Sequence, residues 1–149
     1  MLRSDVVRKT LFHLAPDQRL GPDGYTAAAT HEVYRALLMR ASDVLAAGGS
    51  VVVDATFLAA DQRREVALLA AAAAVPFTGV WLDAPPPILT DRLRQRQHDV
   101  SDATVEVLER QQAADAGEIT WMRVDSTRAA GDLAAQVREE IRRTAWATS

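Results

Sequence analysis

Ser50-Val51-Val52-Val53-Asp54-Ala55-Thr56-Phe57 is the stretch on which the reading of the fold turns. Three consecutive valines follow the helix stop Ala47-Gly48-Gly49 and end on an aspartate, as in a strand buried on both faces. Two further runs repeat the pattern, Phe77-Thr78-Gly79-Val80-Trp81-Leu82-Asp83 and Thr120-Trp121-Met122-Arg123-Val124-Asp125, each closing on an aspartate. Around them lie segments of helical period at residues 26–47, 60–74, 86–97, 102–114 and 130–145. Strands alternating with helices predict an α/β domain, a parallel sheet covered by helices. Ligands in such sheets sit beyond the carboxyl ends of the strands, so the three aspartates fall where chemistry is expected. For Asp83, just before Ala84-Pro85-Pro86, a helix cap is the competing expectation.

Composition narrows the function. With 149 residues, 48% of them hydrophobic, the chain reads as a single domain over residues 1–149 with one core. Seventeen basic residues against 20 acidic ones give a net charge of -3, which points to a small-molecule ligand and to no nucleic-acid or membrane partner. The absence of cysteine excludes disulfides, thiol catalysis and thiolate metal sites. His13, His31 and His98 are too widely spaced for a zinc pattern. No apolar run reaches the roughly 18 residues of a membrane span, and the start lacks a signal-peptide core, so a cytoplasmic protein is expected. The one long irregular stretch, residues 14–24 with Pro16, Gly21, Pro22 and Gly24, is the kind of loop that borders ligands.

Four motifs in order, Leu2-Arg3-Ser4-Asp5-Val6-Val7-Arg8-Lys9, Val51-Val52-Val53-Asp54-Ala55-Thr56-Phe57, Trp81-Leu82-Asp83-Ala84-Pro85 and the arginines from Arg92 to Arg96, resemble the AAA-type P-loop kinase-like ATPases of bacteria. That family includes free-standing domains and domains fused behind aminoglycoside-phosphotransferase-like modules. The resemblance implies a three-layer P-loop NTPase-like fold, a parallel sheet of order 2-3-1-4-5 with helices on both faces. Residues 2–4 would be its second strand, and the three runs above its third, fourth and fifth. It also implies ATP-dependent phosphoryl transfer to a small hydroxylated acceptor, with ATP and Mg²⁺ as cofactors. By position, Asp54 would hold magnesium through water, and Asp5 would face the acceptor hydroxyl as base, a helix cap or an ion pair with Arg8 being its structural rival. Arg3 and Arg8 would line the acceptor pocket. Arg92 and Arg96, four residues apart on one helix face, would clamp the polyphosphate beside a short lid at residues 97–102. Ser126, after the last strand, would contact the base.

A phosphate loop is absent from this sequence. No G-x-x-x-x-G-K-S/T occurs, Gly48-Gly49 precedes a strand instead of a helix, and Lys9, the sole lysine, follows the second strand. Relative to the family, the chain is expected to lack the first strand, the phosphate loop and the first helix. ATP binding by this chain alone is therefore not expected. The absent strand would lie between the third and fourth, so residues 51–54 and 77–83 must pair directly, receive a strand from another chain or leave two apolar edges unpaired. The alternative function is a catalytically dead binding or oligomerisation module that associates through the open centre of the sheet.

Overall fold

The computed structural model describes residues 1–15, 17–95, 101 and 104–147. Strand β1 (Leu2–Arg3) runs straight into helix α1 (Ser4–Leu11), and a 3₁₀ turn at Pro22–Tyr25 closes the irregular stretch. Helix α2 (Ala27–Ala46) begins at Thr26, whose hydroxyl accepts from the Ala29 N–H at 3.1 Å. It ends at Gly48, whose φ of 77° lets Gly48 N–H reach Leu45 O and Gly49 N–H reach Val44 O. Then follow β2 (Val53–Asp54), α3 (Ala60–Ala72), β3 (Val80–Asp83), α4 (Pro86–Gln95), α5 (Val105–Ala113), β4 (Met122–Asp125) and α6 (Ala130–Ala147).

Both ladders are parallel, as strands separated by helices require. Leu2 lies opposite Val53 and Arg3 opposite Asp54, while β3 pairs β4 from Val80–Met122 through Asp83–Asp125. The expected strands are therefore present, and β2, β3 and β4 each end on the expected aspartate. The β2 ladder is shorter than its apolar run because β1 offers it only two paired residues. The sheet itself is in two pieces: among the described residues no ladder joins β2 to β3. Of the three outcomes open to those strands, direct pairing is the one the backbone does not adopt.

The halves are linked by side chains. Val7 of α1 and Val33 and Leu37 of α2 form one cluster, with Leu2, Val53 and Ala55 packed on it. Tyr34, Phe57 and Val66 form a second, and Val53, Phe77 and Trp121 reach it from both half-sheets. Its rings meet edge to face, Tyr34 and Phe57 at 5.4 Å and Phe57 and Trp121 at 5.1 Å between centroids. Phe57 holds φ at 46°, a left-handed conformation that strains a bulky residue and persists only where its surroundings fix it. Here the Tyr34 hydroxyl accepts from its N–H at 2.9 Å, and the Arg63 guanidinium donates to its carbonyl at 2.7 Å.

Cover is missing over β3. Leu82 and Val124 are paired and share a face, yet Val124 is 0% exposed and Leu82 is 62% exposed. Val52, beside β2, is 63% exposed. The chain exposes 9902 Å², against roughly 7,500 Å² expected of a compact monomer of its mass. No described helix is long and apolar enough to cross a membrane.

Burial pushes the Tyr34 hydroxyl above its ordinary range, although its bonds to Thr56 and Phe57 oppose the shift. The folded state thus holds that proton more tightly than the unfolded state does, so stability falls as pH rises above about 10, the unfolded value, toward the folded one. Tyr34→Phe leaves the Phe57 N–H unpaired and is expected to lower stability by about 1–3 kcal/mol at neutral pH. Urea unfolding at a series of pH values checks both parts, since the difference from wild type should shrink above about pH 10.

Candidate functional site

Within each parallel pair, the carboxyl ends of the strands and the segments that leave them carry acidic and basic groups singled out above. On the first half-sheet Arg3 Nε donates to Asp54 Oδ2 at 3.2 Å, and Asp54 remains half exposed. Asp5, in the first turn of α1, is half-buried and has no ion pair or side-chain hydrogen bond among the described residues, Arg8 included. Arg8 is 8% exposed; it donates to Gly24 O at 2.6 Å and Thr30 Oγ1 at 3.4 Å, with its guanidinium 5.0 Å from the Tyr25 ring centroid. It therefore pins the irregular stretch onto α1 and α2. Lys9, 3% exposed, is buried beside it.

On the second half-sheet Asp83 accepts from Arg123 at 2.7 Å and from Trp81 Nε1 at 3.0 Å. Those bonds engage both of its carboxylate oxygens, in place of the helix cap that Ala84-Pro85-Pro86 suggested. Asp125 Oδ1 accepts from both the backbone and the hydroxyl of Thr127, and these bonds hold its carboxyl below the usual carboxylate range. Arg92, in the last turn of α4, donates to Ser126 Oγ at 3.1 Å and Ser126 O at 2.6 Å. Two residues separated by 34 positions, both assigned to the nucleotide side, are thus in contact. Arg96 and lid residues 97–100 and 102 lie outside the described residues.

A cleft of about 580 Å³ opens between α2 and α3. Thr30, Tyr34 and Leu38 line one wall at helical spacing, and Asp61, Gln62 and Glu65 the other. The α2 stripe is visible in the sequence at intervals of four; its opposing wall is not, because periodicity does not say which helix faces which.

The residues fit magnesium only loosely. No group of three or more His, Asp or Glu side chains able to hold a metal occurs among the described residues, so Asp54 would act singly and through water, as magnesium permits. For a triphosphate, the sequence carries no G-x-x-x-x-G-K-S/T run.

A parallel α/β chain with acids at the strand ends and an arginine against the last β–α loop is a P-loop NTPase-like domain. The AAA domain family matches residues 1–116, and the chain belongs to that family. No curated protein and no solved structure matches it.

Proposed function

We propose that this chain is the acceptor-side and lid-side part of an ATP-dependent small-molecule kinase, which acts once a phosphate loop is supplied from outside these 149 residues. The observation that carries the reading is the Arg92–Ser126 contact, which brings the α4 arginine to the loop where a base would sit. In this reading Asp5, half-buried and unpaired among the described residues, accepts the proton of the acceptor hydroxyl. Arg3, already bonded to Asp54, lines the acceptor side together with Arg8, whose guanidinium is held by Gly24 O and Thr30. In this reading Arg92 and Arg96 are assigned to the phosphates, Ser126 to the base and Asp54 to a magnesium shell. The setting is the cytoplasm.

A second reading is a catalytically dead module that associates through the divided sheet, with a second copy or another protein. Bare Leu82 beside buried Val124 supports it, as does a surface excess well beyond the roughly 800 Å² that one partner contributes to a standard interface.

Calorimetric titration with Mg-ATP and sedimentation of the same sample separate the two. The first reading expects a chain with no saturable ATP binding below about 1 mM. Micromolar binding by the chain alone would sink the claim that it lacks a working phosphate cradle. A stable oligomer without nucleotide favours the second reading.

A further inference from the structure

The cleft between α2 and α3 carries charge unevenly on its two walls. On its α2 wall the cation, Arg35, is already neutralised, since Nε and Nη2 both donate to Glu32 Oε2 at 3.0 and 2.6 Å. That pairing holds the Glu32 carboxyl below its usual range. On the α3 wall Asp61 and Glu65 stand four residues apart on one helix face. Asp61 uses one oxygen to accept from the Gln62 N–H at 2.8 Å, and Glu65 has no partner among the described residues. The lining is therefore net negative on one side, with Thr30, His31 and Gln62 as hydrogen-bonding groups and Ala27, Leu38 and Ala59 as an apolar floor.

The cleft is also tied to the strand ends. Thr30 accepts from Arg8, and the Tyr34 hydroxyl bonds Thr56 and Phe57, the residues that follow Asp54 and Ala55 out of β2. A molecule lodged there lies against the segment that fixes the end of β2.

We infer that this cleft binds a hydroxylated organic cation, an amine-bearing sugar or polyol, with Asp61 and Glu65 receiving the ammonium and Thr30, His31 and Gln62 the hydroxyls. That this ligand is the phosphoryl acceptor rests on the kinase-like reading above; that the cleft binds it does not.

The test uses the whole chain with glucosamine, glucose and glucuronate as probes at equal ionic strength, followed by amide chemical shifts and calorimetry without nucleotide. Glucosamine is expected to bind about tenfold more tightly than the other two, the size of one charge-assisted hydrogen bond. Its shifts should centre on residues 30–35 and 61–65. Asp61→Asn with Glu65→Gln should abolish the preference, while the control Glu139→Gln on α6 keeps it. Because both exchanges are isosteric and Glu65 and Asp61 are exposed, an unchanged unfolding midpoint shows that the fold survives. Should the double variant unfold, Glu65→Gln alone carries the test. Equal affinity for the three probes, a preference that survives the substitutions, or shifts confined to other residues overturns the inference. Selective glucosamine binding by a chain that never transfers phosphate, even when a phosphate loop is supplied, leaves the cleft standing and removes the kinase-like reading alone.

Discussion

Arg63→Ala is expected to destabilise the fold by about 3–4 kcal/mol, a loss of over a hundredfold in the folding equilibrium constant. Arg63 is 6% exposed, and its guanidinium donates to four carbonyls: Phe57 at 2.7 Å, Leu58 at 2.8 Å, Ala116 at 2.5 Å and Glu118 at 3.2 Å. It also lies 5.7 Å from the Trp81 ring centroid. One side chain thus joins the segment after β2, the segment before β4 and the face of β3. Hydrogen bonds to a charged donor contribute about 1.5–3 kcal/mol each, but the part-buried carbonyls recover water once the side chain is gone, so the net loss is well below the sum. Removal also frees the strained Phe57 of one of its two backbone constraints. Arg63→Lys should recover little, because an ammonium cannot span four acceptors arranged for a planar fork. Urea unfolding followed by tryptophan fluorescence reads the effect directly. A change under about 1 kcal/mol would show that the clamp is not what joins the half-sheets.

Fusing an apolar strand, a G-x-x-x-x-G-K-T loop and an amphipathic helix ahead of Met1 should strengthen Mg-ATP binding at least about a hundredfold. Two charge-assisted bonds from such a loop suffice for that factor. The same fusion with the loop lysine replaced by alanine should keep the structural gain and lose most of the affinity. If both fusions raise the unfolding midpoint and neither binds ATP, the divided sheet is a docking surface and the kinase-like reading fails. If only the lysine-bearing fusion binds ATP, the remaining residues do form the rest of a nucleotide site.

Much of this architecture was legible in the sequence. Apolar, β-prone runs ending on aspartates marked β2, β3 and β4, and glycine at 48 marked the end of α2, because these signals are local. Shortness of the ladders was not legible: a run such as residues 50–54 has strand propensity whether or not backbone partners stand on both sides. The role of Arg63 is not legible in the sequence, because an arginine in an alanine-rich helix looks solvated and its partners at residues 116–118 come from a distant segment. Arg8 was legible only as an acceptor-side residue through the resemblance; its burial was not, because its partners Gly24, Tyr25 and Thr30 lie across a loop. The Arg92–Ser126 pair could be reached from the sequence only through the family resemblance, since the two residues belong to different elements.

Neither ladder closes locally. Arg3 and Asp54 are 51 residues apart, and Asp83 and Arg123 are 40 apart, so each ladder must first overcome the loop-closure entropy of the helices between its strands. Contacts of that separation form late, after neighbouring helices such as α1 and α2 have packed. Because the two ladders share no backbone hydrogen bond among the described residues, they are also separate units of opening. Unfolding of β3–β4 need not disturb β1–β2, and what couples them is the ring cluster around Phe57 together with the Arg63 clamp.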